Sequence, residues 1–119
     1  MKKLKVNSAT NDDFIFELLQ DQNYKVTEHG QLLTRYTNHK KVSGVWRKVG
    51  TKDRYGYLIF KPRMGGKKRY LRVHRIIYAF YYKTLEKDKV INHRDGDRTN
   101  NQITNLELVD WEFNNKYRV

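Results

Sequence analysis

The sequence predicts an α+β fold in which an antiparallel β meander is followed by a helix, two strands and a last helix. Short β-prone runs separated by glycine-marked turns dominate residues 23–73, and from residue 74 apolar residues recur at helical spacing. The chain has 119 residues, of which 38% are hydrophobic, which suits one domain with a modest core. We therefore expect a single domain at 1–119, with a β-rich basic region at 1–73 and a second region at 74–119.

The first third of the chain predicts a helix and a hairpin. Residues 11–22, NDDFIFELLQDQ, begin with possible N-cap residues and place Phe14 and Leu18 on one face, which indicates a short helix or turn. The segment YKVTEHGQLLTRY has two β-prone arms around His29 and Gly30. Such a pattern is typical of a β-hairpin.

Three further runs predict the rest of the meander. The segment VSGVWRKVG indicates a strand, and YGYLIFKPR indicates another that Pro62 ends. A flexible turn, MGGKK, follows. The segment RYLRVHR alternates apolar and basic residues, as a half-exposed strand does. The exposed side of this meander is therefore expected to be rich in Lys and Arg.

The last third changes period. Helical spacing of Ile76, Ile77, Phe80 and Tyr81 predicts a helix at about 74–83, which would supply much of the core. The segments KVIN and LELV predict two short strands joined by a long loop. Asp110 is expected to cap a last helix, WEFNNKYRV.

Net charge points to a polyanionic partner. The formal net charge is +12, and residues 35–75 contain fourteen Lys or Arg against one acid, Asp53. Such a one-sided segment would release counterions on binding nucleic acid. The sequence has no signal-peptide pattern and no apolar run of membrane-spanning length, and it has no Cys, which excludes disulfides and thiolate zinc sites. We expect a cytoplasmic location, in the host if a phage encodes the chain.

The densest polar stretch is residues 90–115, VINHRDGDRTNNQITNLELVDWEFNN, with six Asn and three Asp. Turns favour these residue types, and we expect Asn100 and Asn101 to form turns and caps. The segment DGDRTNN offers oxygens at alternate positions but lacks the glycine and terminal Glu of a calcium-binding EF-hand loop. Its more specific feature is the order of strand, oxygen-rich loop, strand and helix.

These residues resemble the HNH, or ββα-metal, nucleases, most closely the branch typified by phage intron-encoded homing endonucleases. The matching segments are VHRIIYAFYY, VINHRDGDRTNNQITNLELV and EFNN, and the β-rich segments from residue 23 resemble the region that precedes the motif in those enzymes. The resemblance implies a ββα-metal nuclease motif after the meander. It implies a metal-dependent DNA endonuclease that hydrolyses phosphodiester bonds, with one active site and therefore one nick per monomer.

By the same resemblance, His93 is the general base, since an imidazole is partly neutral at neutral pH. Asn92 and Asn114, or Asn115 if the register shifts by one, would hold one divalent ion, Mg²⁺ or Mn²⁺. Asn105 would brace the loop and so fix the orientation of His93. The best-known members have Asp at the position of Asn92, so metal affinity is expected to be lower here. Compensation by the Asp95 carboxylate, which lies in the loop, is the alternative.

The expected partner is double-stranded DNA, bound by a monomer or a dimer. Basic residues of the meander and the following helix are expected to contact it: Arg54, Arg63, Lys67, Lys68, Arg69, Arg72 and Arg75. Arg47, Lys48 and Lys52 are weaker candidates, and His74 is expected to be structural or to contact the DNA backbone. Two other interpretations stay open: a catalytically weak or inactive DNA-binding protein on an HNH scaffold, and an RNA-binding protein.

Overall fold

A computed structural model describes residues 10–37, 41–87 and 89–110. The predicted last helix and Asn114 lie outside these residues. The described elements in chain order are α1 (Asn11–Leu19), β1 (Tyr24–Val26), β2 (Leu32–Tyr36), β3 (Val42–Lys48), β4 (Thr51–Lys52), β5 (Leu58–Phe60), β6 (Arg63–Met64), β7 (Lys67–Lys68), β8 (Leu71–Arg72), α2 (Val73–Tyr82), β9 (Lys89–His93), a 3₁₀ turn (Ile103–Asn105) and β10 (Leu106–Asp110). No helix in the described part of the chain is long and apolar enough to cross a membrane.

The strands form several small antiparallel sheets. Strands β1, β2 and β3 make one sheet, β4, β5 and β8 make another, and β6–β7 and β9–β10 are two-stranded hairpins. The predicted single meander is therefore divided, because strands β4 to β8 are only two or three residues long. The mixed helix-and-strand class and the hairpin around His29 and Gly30 are confirmed.

Helix α1 begins at a capping box. The side chain of Thr10 accepts a hydrogen bond from the Asp13 backbone, and the Asp13 carboxylate accepts one from the Thr10 backbone. The cap is thus Thr10, one residue before the predicted cap positions. Phe14, Ile15 and Leu18 are buried, and an ion pair of 2.9 Å between Arg75 and Asp12 joins α1 to α2.

Helix α2 begins at Val73, so the strand predicted over residues 69–75 shrinks to Leu71–Arg72. The reason is burial: Val73, His74, Ile76 and Ile77 are all buried on a helical period. The predicted core residue Tyr81 is instead 39% exposed, and Tyr78 and Ala79 are buried in the helix.

One hydrophobic cluster joins the two regions of the chain. It contains Phe14 and Leu32 from the N-terminal region, Ile76 and Ile77 from α2, and other buried residues. Strands β9 and β10 close against it through Ile91 and Leu106. In their register His93 lies opposite Leu106 and Asn92 opposite Glu107. The core therefore supports the hairpin that bears the candidate base.

Asp110, predicted to cap the last helix, is the final residue of β10. Its carboxylate lies 4.0 Å from the Lys89 ammonium on the paired strand. In the described part of the chain Asp110 is thus a strand residue with a cross-strand partner.

Candidate active site

His93 ends strand β9 and is buried, with 3% of its surface exposed. Its Nε2 lies 2.8 Å from Oδ1 of Asn101. Burial lowers the pKa of His93 from its ordinary value, and the hydrogen bond to Asn101 acts in the opposite direction. A buried imidazole with a lowered pKa is neutral at neutral pH, which is the state a general base requires.

Asn101 is the contact that the sequence did not predict. It was expected to form a turn or cap, yet it is 2% exposed and its amide reaches the imidazole. Asn100, the neighbouring residue, fits the turn prediction, since its Oδ1 accepts a hydrogen bond of 3.4 Å from the Gln102 backbone. Asn100 therefore forms a turn and Asn101 contacts the imidazole, although the two residues are adjacent. The feature that distinguishes them is the burial of Asn101.

Asn105 holds the loop through hydrogen bonds to the backbone and to Asp95, and its effect on the orientation of His93 stays a prediction. Its Oδ1 accepts from the Asp95 backbone at 3.1 Å, and its Nδ2 donates to Asp95 Oδ1 and to the Asn100 carbonyl. The Asn105 carbonyl accepts from the Arg94 backbone at 2.8 Å. Asn105 thus fixes both ends of the loop that lies between His93 and Asn101.

Both oxygens of the Asp95 carboxylate accept hydrogen bonds in the same region of the loop. One carboxylate oxygen accepts from Asn100 and the other from Asn105 and from the Asp97 backbone. These three hydrogen bonds lower the pKa of Asp95. Its carboxylate organises the loop, so the structure gives no support to Asp95 as a replacement metal ligand.

Asn92 is buried next to His93, and its Nδ2 donates to Glu107 Oε1 at 2.9 Å across the two strands. The Glu107 carboxylate also pairs with Arg94 at 3.1 Å. Since the amide nitrogen is engaged, Oδ1 is the atom of Asn92 that can coordinate a cation, and hard divalent ions prefer such oxygen ligands. Glu107 was missed because only the strand register brings it opposite Asn92.

The described residues include no cluster of three or more His, Cys, Asp or Glu side chains suited to a metal. The site predicted for Asn92 and Asn114 uses amide oxygens, so the absence of such a cluster from the described part of the chain does not bear on it. Asn92 fits a hard cation through Oδ1, with the Glu107 carboxylate beside it. Asn114 lies outside the described residues.

An aromatic and cationic cluster lies beside His93. The Tyr57 ring stacks on His74 at 5.3 Å, and the His74 ring lies 5.0 Å from that of His93. The guanidinium carbons of Arg72 and Arg98 lie over the Tyr57 ring at 4.3 and 4.7 Å. Arg98 also donates to the Tyr55 carbonyl at 2.6 Å. Sequence reasoning missed Tyr57 and Arg98, because their proximity to His93 depends on how β5 and the loop pack.

His74 lies at the centre of this cluster and is 5% exposed. Burial, followed by repulsion from His93, Arg72 and Arg75, holds the pKa of His74 well below its ordinary value. A neutral ring packed between Tyr57 and His93 agrees with the structural role predicted for it.

The predicted DNA-contacting residues fall into two groups. Four are exposed: Arg54, Arg63, Lys67 and Lys68. Three are half-buried and have protein partners: Arg69 donates to the Met64 carbonyl and lies over Phe14, Arg72 lies over Tyr57, and Arg75 pairs with Asp12. DNA contact by any of the seven stays a prediction.

The chain is similar to known HNH endonucleases in sequence and in fold. Residues 71–115 match the family model described as HNH endonuclease. Over 50 residues the chain is 36% identical to DNA endonuclease I-HmuI of Bacillus phage SP01, covering 42% of this chain and 29% of that protein. Over 66 residues it is 29% identical to an uncharacterized HNH endonuclease of Acanthamoeba polyphaga mimivirus, covering 56% of this chain and 20% of that protein.

A solved structure described as DNA binding and cleavage by the HNH homing endonuclease I-HmuI matches with a TM-score of 0.58 and 26% identity. The match covers 81% of this chain and 51% of the solved one. The chain thus spans less than a third of the length of these two sequence relatives and about half of the solved chain. The family model, the relatives and the shared fold together show that the chain is similar to HNH homing endonucleases.

Proposed function

We propose that this chain is a metal-dependent DNA endonuclease that hydrolyses phosphodiester bonds and nicks one strand per active site. The main support is the buried His93, whose pKa is lowered and whose ring centre lies 6.0 Å from that of Tyr57, the ring over which two arginines lie. A neutral base, oxygen ligands and positive charge are the groups that phosphodiester hydrolysis requires.

His93 would act through Nδ1, because Nε2 is engaged with Asn101. In the proposed step Nδ1 takes a proton from water as the water oxygen forms a bond to phosphorus. The bond from phosphorus to the 3′ oxygen breaks, and that oxygen leaves and takes a proton from solvent. The products are a 5′ phosphate and a 3′ hydroxyl, and His93 returns its proton to solvent.

Asn92, through Oδ1, and Asn114 or Asn115 would hold one divalent ion, Mg²⁺ or Mn²⁺. When bound, the ion would supply positive charge that stabilises the phosphate and the departing oxygen. Two neutral amides bind a divalent ion weakly, so the DNA phosphate is expected to complete the site. The Glu107 carboxylate lies beside Asn92, but its ion pair with Arg94 offsets part of the negative charge that would favour the ion.

Arg72 and Arg98 would receive the scissile phosphate. Both lie over Tyr57, whose ring centre is 6.0 Å from that of His93. A guanidinium has five donors, and Arg98 uses one of its terminal nitrogens on Tyr55, so other donors remain for phosphate oxygens. The exposed β6–β7 hairpin would hold the flanking duplex through Lys67 and Lys68. Location in the cytoplasm stays a prediction.

The direct test is cleavage of supercoiled plasmid by the purified protein with Mg²⁺, with Mn²⁺ or with EDTA. We expect open circles with metal and none with EDTA. Open circles in EDTA would contradict metal dependence. Binding of the plasmid without any cleavage, at every metal concentration, would contradict the nuclease assignment.

A second candidate function is a catalytically weak or inactive DNA-binding protein on the HNH scaffold. The observation that favours it is Asn92, a neutral amide that is already hydrogen-bonded to Glu107. Replacing Asn92 with Asp should lower the metal concentration needed for half-maximal cleavage, because a carboxylate adds charge to the site. The measurement is a metal titration of cleavage, and an unchanged midpoint would show that residue 92 is not a ligand.

A further inference from the structure

We infer that Asn101 is the positioning residue for His93, and that the hairpin turn at Gly30 holds Asn101 in place. Asn101 Oδ1 accepts the hydrogen of Nε2 and so selects the neutral tautomer in which Nδ1 is bare. This inference rests on the proposed function, since it states how the base is prepared for proton transfer.

The contact between the two side chains is short and shielded. Asn101 Oδ1 lies 2.8 Å from His93 Nε2, and the two residues are 2% and 3% exposed. Water therefore competes little for this hydrogen bond. Asn101 Nδ2 is buried without a partner among the described residues. The side-chain amide of Asn101 is thus buried with its Nδ2 donor unsatisfied by any described residue, which is costly. Its Oδ1, in contact with His93, is the atom that accounts for this position.

The tautomer follows from which nitrogen is available. An uncharged imidazole has one nitrogen that donates and one that accepts. Asn101 takes Nε2, so only Nδ1 can remove a proton from water. Nδ1 accepts a proton only when the ring hydrogen is on Nε2, and that hydrogen requires an acceptor, which is Oδ1 of Asn101. An amide turned the other way would donate to Nε2 and place the ring hydrogen on Nδ1.

The Gly30 turn supports the Asn101 backbone from the N-terminal region. Gly30 is buried at the tip of the β1–β2 hairpin with a φ of +75°. A side-chain Cβ at this position would lie within 3.0 Å of the Asn101 backbone carbon and oxygen and of the Gln102 backbone nitrogen. The hairpin turn therefore packs directly against the Asn101 backbone. Any residue with a Cβ at position 30 would force either the turn or the Asn101 backbone to move.

This arrangement assigns separate tasks to two asparagines. Asn105 holds the Asp95 and Asn100 backbones, whereas Asn101 touches the imidazole itself. It also gives the first hairpin a part in the chemistry. The turn at residues 27–30 would be needed for the rate of cleavage, even though it precedes the matched motif at residues 71–115.

The first test is an NMR spectrum of the ring nitrogens, with ¹⁵N-labelled histidine in the full chain at about pH 8, where an imidazole is neutral. A His93→Gln spectrum assigns the signals among the four histidines. We expect the proton of His93 on Nε2 in the native chain and in Asn101→Asp, which keeps an acceptor. Asn101→Leu, which has similar size and no acceptor, should lose that preference. A native His93 with its proton on Nδ1 would overturn the inference.

The second test is kinetic. Asn101→Leu should slow single-turnover cleavage on the order of a hundredfold while DNA affinity stays unchanged. Gln102→Ala, at the exposed neighbouring position, is the matched control and should cleave normally. An Asn101→Leu chain that melts like the native protein and cleaves at the native rate would also overturn the inference.

Gly30→Ala examines the support from the hairpin. It should slow cleavage on the order of tenfold and weaken the tautomer preference, because the turn must move off Asn101. Gly44→Ala is the control, since a Cβ at Gly44 meets nothing within 4 Å. If Gly30→Ala and Gly44→Ala changed the cleavage rate equally, the proposed support of Asn101 by the Gly30 turn would be refuted. If the native chain never nicks plasmid, the proposed function fails, whereas the His93 spectrum still decides whether Asn101 sets the tautomer.

Discussion

Lys67 and Lys68 on the β6–β7 hairpin are exposed, whereas Arg72 and Arg98, beside His93, are half-buried over the Tyr57 ring. The lysines are mobile point charges on long stems, so their attraction to DNA is sequence-independent and screened by salt. The arginines are fixed by an aromatic ring and, for Arg98, by the Tyr55 carbonyl. The comparison suggests that the exposed cations set affinity and the fixed ones set the rate.

The largest effect is expected from Arg98→Ala. Removing a fixed donor beside the reacting phosphate should lower the single-turnover rate on the order of a hundredfold, with a small change in DNA affinity. Arg98→Lys should restore part of the rate, since it keeps the charge but loses the fork of donors. Lys67→Ala is the control and should leave the rate at saturating protein unchanged. If the rate of Arg98→Ala returned to the native value at saturating protein, Arg98 would contribute to DNA affinity and not to the rate of cleavage.

A smaller effect is expected from replacing both Lys67 and Lys68 with Ala. If each contacts a phosphate, the slope of log affinity against log salt should flatten by roughly two, because each contact releases about 0.9 counterion. A preferred and a scrambled duplex should weaken equally. The measurement is DNA binding across a salt series. An unchanged slope would show that the hairpin does not touch the backbone, and Lys48, Lys52 and Arg54 would be tested next.

The smallest effect concerns His74, which stacks on the Tyr57 ring that Arg72 and Arg98 lie over. The pKa of His74 is lowered well below its ordinary value in the folded chain, so the unfolded chain binds more protons below about pH 6.5. The free energy of unfolding should therefore fall as pH drops below 6.5, by at most about 1.4 kcal/mol per pH unit from this group. Native and His74→Phe chains should be unfolded in urea at several pH values. A pH dependence that is the same in both would contradict the buried neutral ring.

Much of the fold could be predicted because local patterns decided it. Helix α2 follows from apolar residues at helical spacing, and strands β9 and β10 follow from short apolar runs on either side of a polar loop. The half-exposed strand at 69–75 was predicted too long because RYLRVHR alternates like a strand. Packing of Val73 and His74 into the core overrides that alternation and starts the helix early.

The candidate site could be predicted only in part. His93, Asn92 and Asn105 lie within one ordered motif, so resemblance to a family was enough to predict their roles. Asn101 was assigned to a turn because burial cannot be read from an Asn-rich loop. Glu107, Tyr57 and Arg98 reach the site through strand register and long-range packing, which a single sequence does not specify.

His93, as the general base, is the residue on which the proposed hydrolysis depends most directly. The decisive measurement is single-turnover cleavage of a duplex by the native chain and by His93→Ala, with DNA affinity measured on the same preparations. We expect His93→Ala to bind DNA nearly as tightly as the native chain and to show no cleavage above the EDTA background. Cleavage by the purified variant at a rate near that of the native chain would contradict the assignment of His93.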